Sequence, residues 1–525
     1  MLGLLLAAAS VAQPHNALPI DPRHHRDARC PKAIQLDGDK QRDPASKSSY
    51  LWTPGLPSAA ACAYACCGDW SCEAFAFIAP ASSVYPKGKG NCTGSSACCV
   101  FKDDLDALVA GAKGVTTGRR SKLPARAAPY ANSTKVLHTV LEPKMYVGIN
   151  GDEFPITWGK DGNQYTGAGD NSQANETGTP LSFFRVKGGP TELGCTYPPN
   201  KHNQPTPTCK NINEQGKHVP VTSKSALAAC PSWHDGIPNL KSSGVISVDG
   251  VLYWAISCFN YGDNLVFNRQ RYGPAWIITS HDNGVSWNVD ATNTSMFPGR
   301  LSAPRFVQYG QDFAGAPDDW VYVYFPGTSG DSAFFENNDQ MLLGRVNKHK
   351  ILERSAYQFF NGIQLDGSDV WTSDSTIATS VWHFPLQTSV QQANYHAGMK
   401  RYIFANWAWI SYDGYGRPDH TADEVNGRTG HQRTQLSLVE APNPWGPFKV
   451  FYRNDDWGGI DLQKQFSVGG YTPVIPPAWI GDNDFWIVFT QCCGNPRPPL
   501  NNYNFNAQRV TFKLSDGRSR REASA

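Results

Sequence analysis

Short apolar segments in which polar and apolar residues alternate dominate residues 141–514. Gly, Pro, Asn and Asp separate these segments, and the 3.6-residue periodicity of helices is nearly absent. Both observations predict an all-β region, because alternation places side chains on the two faces of a strand and these residues favour turns. The segments fall into five clusters, which span residues 145–186, 245–287, 304–360, 389–452 and 466–514.

The spacing of the clusters distinguishes two all-β architectures. A β-sandwich places a turn about every 8 to 12 residues. The clusters recur instead at roughly 45 to 75 residues, as expected of four-stranded blades with variable loops. Each of the last four clusters also carries an apolar strand, namely VLYWAIS, WVYVYF, KRYIFANW and DFWIVFT. The sequence therefore predicts a five-bladed β-propeller, with six blades as the alternative.

The charge balance makes nucleic acid an unexpected partner. The chain has 525 residues and a formal net charge of only +2, from 47 basic and 45 acidic residues. Such a balance gives no broad attraction to phosphate groups. Charged residues make up 18% of the chain and aromatic residues 12%. This composition favours a turn-rich β protein that handles neutral polar ligands.

The first twelve residues, MLGLLLAAASVA, are predicted to be a secretory signal, because an apolar run is followed by small residues. No Lys or Arg precedes the run, so a truncated start or a disordered terminus is the alternative. No later segment approaches the ~18 apolar residues that span a bilayer. We expect a secreted protein, extracellular or in the cell wall, with a disordered basic tail at 515–525. Four sequons offer N-glycosylation sites in a eukaryotic source, at Asn91, Asn132, Asn175 and Asn293.

Cysteine usage also predicts export. Eight of the 14 cysteines lie in the first hundred residues, at the density of a disulfide framework. Zinc binding is the alternative, although paired C-x-x-C elements with His partners are missing. The spacing predicts a helix with Cys62 and Cys66 that disulfides join to a sheet. The eight are Cys30, Cys62, Cys66, Cys67, Cys72, Cys92, Cys98 and Cys99.

Residues 30–104 resemble the PAN/apple module. The stretch ACAYACCGDWSCEAFAF is similar to its cysteine-bearing helix and the Cys-x-x-Phe strand that follows, and CCVFKDD is similar to its closing strand. The resemblance implies binding to a protein or a carbohydrate. A disulfide-stabilised cap without a ligand is the alternative. Residues 105–140 contain small, polar and basic residues and are predicted to be a linker.

The motif ITSHDNGVSW places Ser280, Asp282, Gly284 and Trp287 in the spacing S-x-D-x-G-x-x-W. It resembles the Asp box of sialidase-like propellers, which lies in an outer hairpin of a blade. These residue types suit a tight turn, because Ser and Asp accept backbone hydrogen bonds, Gly adopts positive φ and Trp packs against the blade. We therefore predict a structural role for Asp282.

Further stretches resemble the secreted propeller hydrolases of the domain-of-unknown-function 4185 type, to which bacterial endo-D-arabinanases belong. They are GDEFPITWGKDGNQYTGAGDN, ILERSAYQFFNG, SVQQANYHAGMKRYIFANW and SLVEAPNPWGPFKVFY, in this order. The resemblance implies a glycoside hydrolase with a fold related to sialidase and arabinanase propellers. Asp152 and Asp170 match the acidic turn and the "GD" position of this family, which makes them catalytic candidates. The alternative is that both only cap turns beside Gly151 and Gly169.

Glycoside cleavage typically requires one protonated and one ionised carboxyl group. Asp331 and Glu336 follow an apolar strand and are additional catalytic candidates, with solvated loop residues as the alternative. Aromatic and charged side chains are candidates for binding a sugar, although burial between blades or surface ion pairing is the ordinary role of each type. The substrate-binding candidates are Trp158, Asp235, Tyr261, Arg185 and Arg305.

The sequence favours a secreted glycoside hydrolase that acts on a polysaccharide, including arabinan or another furanoside, by carboxylate general acid/base catalysis. A non-catalytic carbohydrate-binding or adhesion protein is the alternative, because propellers and apple modules serve both purposes. The Arg-Ile-Pro element of sialidases is missing, as are G-x-S-x-G, H-E-x-x-H and P-loop motifs. No cofactor is predicted, and an axial Ca²⁺ ion has no supporting motif.

Overall fold

The chain folds into two compact units, Met1–Lys122 and Leu123–Ala525. The predicted signal and most of the predicted tail lie outside the described residues. Among the described residues, no helix has the length and hydrophobicity needed to cross a membrane. The computed structural model describes residues 34–36, 40–42, 49–54, 59, 62, 74–80, 82, 97–102, 108–110, 115–120, 130–169, 181–196, 208–216, 230, 239–260, 271–327, 333–335, 338–409, 434–457, 470–491 and 503–515.

The first unit contains a five-stranded antiparallel sheet in the order β1-β7-β4-β5-β3, and β2 pairs with β6. A disulfide joins Cys62 to Cys99 in β5. The predicted cysteine-bearing helix lies largely outside the described residues and stays a prediction. The strands are β1 (Ile34–Leu36), β2 (Lys40–Arg42), β3 (Ser49–Pro54), β4 (Ala74–Ile78), β5 (Cys98–Lys102), β6 (Leu108–Ala110) and β7 (Val115–Arg120).

The predicted linker at 105–140 is too long. It contains β6 and β7, and β7 lies in the sheet between β1 and β4. Small and β-branched residues such as those of VTTGRR pair through their backbones, so low apolar content did not prevent a strand there. At the other end, the strand β8 begins within the predicted linker at Val136.

The second unit is built almost entirely of strands, with short 3₁₀ helices at Pro190–Glu192, Gly299–Leu301, Lys348–Lys350, Arg354–Ala356, Ser375–Ile377 and Pro477–Trp479. Its strands are β8 (Val136–Asn150), β9 (Ile156–Trp158), β10 (Gln164–Gly169), β11 (Leu181–Val186), β12 (Cys195–Thr196), β13 (Thr208–Cys209), β14 (Ile212–Glu214), β15 (Leu240–Val248), β16 (Val251–Asn260), β17 (Arg271–Ser280), β18 (Arg305–Gln308), β19 (Trp320–Gly327), β20 (Asn338–Asn347), β21 (Gln358–Ile363), β22 (Asp369–Thr372), β23 (Trp382–Thr388), β24 (Val390–His396), β25 (Arg401–Trp409), β26 (Thr434–Ala441), β27 (Lys449–Trp457), β28 (Gly470–Val474), β29 (Asp484–Gln491) and β30 (Asn504–Leu514).

These strands form successive antiparallel groups along the chain: β9-β10-β11-β14, β15-β16-β17, β18-β19-β20-β21-β22, β24-β25-β26-β27 and β28-β29-β30-β8. The first strands of neighbouring groups contact one another, and β18 pairs with β24 in parallel. The last group is completed by β8, which comes from the start of the unit. Antiparallel groups that follow one another and close through the chain ends are the architecture of a β-propeller, so the predicted all-β propeller fold is confirmed. The described residues form five groups; the number of blades stays a prediction.

Polar side chains join the first strands of different groups. Thr157 in β9 donates from Oγ1 to Oε1 of Gln308 in β18 at 2.8 Å. Gln392 in β24 accepts from the backbone N–H of Ile156 and donates to the backbone oxygen of Ile475, both at 2.9 Å. All of these polar side chains are buried. Because unsatisfied buried polar groups are costly, these bonds fix the first strands relative to one another.

The residues of the S-x-D-x-G-x-x-W motif form a turn after β17. The Asp282 carboxylate accepts from Ser280 Oγ at 2.8 Å and from the backbone N–H of Ser286 at 2.9 Å. Gly284 has φ of +82°, and the ring centroid of Trp287 lies 4.8 Å from that of Phe183. Although partial burial raises the pKa of Asp282, the hydrogen bonds from Ser286 and Ser280 outweigh it and lower the pKa. Asp282 thus binds Ser280 and Ser286 of its own turn.

Candidate functional site

Asp152 lies between β8 and β9, where the chain enters the first group of strands. Its backbone forms a bridge with Gly169, with N–H to oxygen distances of 2.9 and 2.8 Å in the two directions. Only 3% of the residue is exposed. Gly169 ends β10, so the residue before Asp170 is fixed directly opposite Asp152.

Two side chains from other groups contact the Asp152 carboxylate. Lys241 in β15 places Nζ 3.2 Å from Oδ1 and 3.3 Å from Oδ2. Tyr471 in β28 donates from its hydroxyl group to Oδ2 at 3.2 Å. The Lys241 ammonium group also lies 5.3 Å from the ring centroid of Phe259 and 5.7 Å from that of Phe335. The Asp152 carboxylate is therefore paired with a buried cation and accepts a hydrogen bond from a buried tyrosine.

Glu153, the next residue, binds a second pair of side chains. The Tyr272 hydroxyl group donates to Glu153 Oε1, and Arg305 Nη2 lies 3.4 Å from the same oxygen. Arg305 also donates from Nη2 to the Tyr272 hydroxyl oxygen at 2.8 Å and from Nη1 to the backbone oxygen of Ser243. Glu153 is 1% exposed, and its Oε2 atom has no hydrogen-bond partner among the described residues.

The backbone conformation of Glu153 explains how neighbouring acids reach one cluster. Successive residues of a strand point to opposite faces of the sheet. Glu153 instead has φ of +48°, in the left-handed region that non-glycine residues rarely adopt. This turn of the chain lets the carboxyl groups of Asp152 and Glu153 both face the side chains that begin β15 and β18.

Burial raises the pKa of Glu153 from its ordinary 4.5 to about 7. The charges of Arg305 and Lys241 and the Tyr272 hydrogen bond lower it, whereas the charge of Asp152 raises it. Burial also raises the pKa of Tyr272 well above its usual 10, so this side chain stays a hydrogen-bond donor. The cluster therefore combines a carboxylate paired with lysine and a carboxyl group that titrates near neutral pH.

The structure brings only some of the predicted site residues together. Arg305 lies in the cluster with Asp152, although it binds Glu153 rather than an open sugar site. Trp158 lies at the far end of β9, where its Nε1 atom donates to the backbone oxygen of Gly162. Arg185 lies in β11, the third strand of its group, paired with Tyr165 and Asn213. Both residues pair at the Gln164–Tyr165 end of β10, whereas Asp152 bridges Gly169 at its other end, and a sugar-binding role for them stays a prediction. Five other candidates lie outside the described residues: Asp170, Asp235, Tyr261, Asp331 and Glu336.

Four members of the cluster were not predicted from the sequence: Glu153, Lys241, Tyr272 and Tyr471. One signal was present for Lys241, which begins the otherwise uncharged strand LKSSGVISV, where a lysine requires a buried partner. The other three give no comparable signal, since Tyr272 and Tyr471 bind acids that lie 119 and 319 positions away along the chain, respectively.

Two predicted sequons and several predicted disulfide cysteines are described. Asn132 and Asn293 are both exposed, as an acceptor asparagine must be. Disulfides join Cys195 to Cys209 and Cys230 to Cys258 in the second unit, in addition to Cys62–Cys99 in the first. Cys98 is also disulfide-bonded. Outside the described residues lie Asn91, Asn175, Cys30, Cys66, Cys67, Cys72 and Cys92.

A cavity of about 650 Å³ lies at the opposite end of the first strands, where Asp312 accepts hydrogen bonds from Ser247 and the backbone of Gly250. Four aspartates and two lysines line it, together with small and apolar residues. Lys348 Nζ lies 3.1 Å from Asp319 Oδ1, so part of this charge is already neutralised. Within the described ranges, no three His, Cys, Asp or Glu side chains are grouped to hold a metal ion.

No protein-family model matches the chain, and no curated protein matches its sequence. Among solved structures, the xylan β-1,4-xylosidase of Bacillus halodurans C-125 is 10% identical with a TM-score of 0.36, and the match covers 71% of this chain and 54% of the xylosidase. The chain thus spans about half the length of that enzyme. An α-L-arabinofuranosidase of Podospora anserina is 10% identical (TM-score 0.33; 73% and 98% covered). A GH43 endo-arabinanase of Bacillus licheniformis is 13% identical (TM-score 0.34; 70% and 96% covered). Likenesses this distant assign no activity to this chain.

Proposed function

We propose that the protein is a glycoside hydrolase in which Asp152 is the ionised carboxylate of the reaction. The observation that carries the proposal is the Asp152–Lys241–Tyr471 contact at the start of the first strands. A lysine and a tyrosine hydroxyl group hold this carboxylate ionised and oriented, as required of a general base or a nucleophile. The sequence resemblance to endo-D-arabinanases points to the same aspartate, and the second acid that this resemblance implies is Asp170.

The substrate proposed is a neutral polysaccharide, with arabinan and other furanosides first. Buried aromatic rings pack against one another beside the Asp152–Lys241 pair: the ring centroids of Trp407 and Tyr471 are 5.8 Å apart, and Phe335 lies 6.0 Å from each. The xylosidase and the arabinofuranosidase named above act on pentose-containing substrates according to their names, which makes such glycans the first to test.

The test is the release of reducing ends from a panel of furanose and pyranose polysaccharides by wild type, D152N and the matched control D282N. We expect D152N to lose at least about a hundredfold in kcat, which is the typical scale of a general acid/base contribution, and D282N to retain activity. Y471F keeps the carboxylate and loses one hydrogen bond, so it is expected to show a smaller loss in kcat. A wild type that cleaves nothing in the panel, or a D152N variant that folds and keeps full activity, contradicts the proposal.

We further propose that the protein is exported. The first twelve residues support this, as do the disulfides Cys62–Cys99, Cys195–Cys209 and Cys230–Cys258, because such bonds persist in oxidising compartments. Expression in a secreting eukaryotic host is expected to give a protein in the medium that lacks residues 1–12 and decreases in mass on enzymatic deglycosylation. Retention inside the cell with an intact N-terminus contradicts the proposal.

A non-catalytic carbohydrate-binding protein is the second candidate. The observation that favours it is the burial of the two acids, since Asp152 is 3% exposed and Glu153 1%. Both carboxyl groups are also engaged by side chains of the protein itself. A glycan array in which wild type and D152N bind the same glycan equally, with no turnover by wild type, would select this function.

A further inference from the structure

Glu153 has no role in the sequence-based site, yet it is held more elaborately than a turn residue requires. Its side chain is fully buried, one oxygen is bound by Tyr272 and Arg305, and the other has no hydrogen-bond partner in the part of the chain that the structure describes. Its positive φ is unfavourable for a residue with a Cβ atom. Strain of this kind persists only where the surrounding contacts impose it.

The charged groups that face Glu153 come from every element packed against it. Arg305 begins β18, Lys241 lies at the start of β15, Tyr272 is in β17, and Asp152 precedes Glu153 directly. Two cations and two carboxyl groups therefore share one buried volume. When both carboxyl groups are ionised the charges cancel, and when one is protonated the cluster carries one net positive charge.

We propose that Glu153 is a positioning residue that sets the charge of the cluster around Asp152, so that its protonation state controls how firmly Lys241 holds the Asp152 carboxylate. When Glu153 is protonated, Asp152 is the one carboxylate of the cluster that attracts Lys241. Ionised Glu153 repels Asp152 and competes for Lys241, because buried charges interact strongly at short range. The expected effect of Glu153 on activity rests on the proposed function, whereas its effect on the charge of the cluster does not.

The experiment compares the pH dependence of kcat/KM for wild type and E153Q, in which the side chain keeps its shape and cannot ionise. The substrate is the glycan that wild type cleaves best. We expect wild-type activity to fall above about pH 7, where Glu153 ionises, and E153Q to keep its activity there. The ratio of E153Q to wild-type kcat/KM should rise at least about fivefold between about pH 6 and about pH 8.5. A constant ratio overturns the proposal, because a purely structural role scales the profile without changing its shape.

The control is E440Q, which alters another buried glutamate that is ion-paired, in this case to Arg401 at 3.0 Å in the outer strands. Its profile should have the wild-type shape. If E153Q does not fold, Y272F provides the test: loss of the hydroxyl donor raises the pKa of Glu153, so the alkaline fall should move to higher pH. An unmoved fall overturns the proposal.

The failure of the proposed function is distinguishable from the failure of this inference. If wild type cleaves no glycan, the titration of Glu153 is measured instead through the free energy of unfolding of wild type and E153Q at two pH values. A stability difference that changes with pH supports the assignment to Glu153. A difference that is the same at both pH values overturns it.

Discussion

The titration of Glu153 predicts a defined dependence of stability on pH. Burial raises its pKa from 4.5 to about 7, so the carboxyl group binds its proton more tightly in the folded protein than in the unfolded chain. The stabilisation by this proton is fully present below pH 4.5 and is lost as the pH rises through about 7. At about 1.4 kcal/mol per tenfold change in proton affinity, the complete loss amounts to about 3 kcal/mol.

The assay is urea unfolding of wild type and E153Q, followed by tryptophan fluorescence, at about pH 5 and about pH 8. Between the two conditions, the free energy of unfolding of wild type should fall by about 2 kcal/mol more than that of E153Q. This is less than the complete loss, because part of the pH range over which Glu153 loses its proton lies below pH 5. Other titrating groups affect both proteins equally and cancel in the comparison. E440Q, the outer-strand control, should follow wild type. If wild type and E153Q lose the same stability, Glu153 does not titrate in this range and the reasoning is refuted.

Three further predictions concern the contacts that support the site. D282A should lower stability by about 1 kcal/mol with kcat unchanged, because the contacts of Asp282 lie within its turn; a large loss of kcat would contradict this. Q392A removes one hydrogen-bond partner from the N–H of Ile156 and one from the oxygen of Ile475, and it should lower the free energy of unfolding in urea by about 2 to 4 kcal/mol. Unchanged stability would refute the role of these bonds in fixing the first strands. K241M should lower the free energy of unfolding by about 3 to 5 kcal/mol. The double variant D152N/K241M should be more stable than the sum of the two single losses predicts, and strict additivity would show that the pair is not coupled.

The apolar strands recognised in the sequence occupy a common place in the fold. VLYWAIS, WVYVYF, KRYIFANW and DFWIVFT lie in β16, β19, β25 and β29, and each is the second strand of its group. A second strand has neighbours on both edges and is covered on both faces, so its sequence is apolar throughout. The first strands could not be recognised in this way, because they contain polar residues such as Gln392 and Asn394 in β24, which donate to the backbone oxygen of Ile475.

The site was less predictable than the fold. Asp152 was identified through its family resemblance, whereas Glu153 was not, because neighbouring residues of an extended chain are expected to face apart. The positive φ of Glu153 lets both acids face one cluster, and a glutamate in the sequence does not predict that conformation. The partners Lys241 and Arg305 lie 89 and 152 positions from Asp152 and Glu153, respectively, so their convergence depends on the arrangement of whole groups of strands.

The closure of the second unit and the geometry of its site depend on each other. Asp152 enters the first group, whereas Tyr471 belongs to the last, so their hydrogen bond exists only when β8 has paired with β30. The residues before Asp152 are fastened to the same last group: Asn150 donates to the backbone oxygen of Tyr503 at 2.7 Å, and Thr490 donates to that of Gly151 at 3.2 Å. Because these bonds join opposite ends of the unit, loosening of the β8–β30 pairing within the last group would displace Asp152 from Tyr471 while the other four groups stay paired. The acids are therefore placed at the one position in the fold where the first group meets the last.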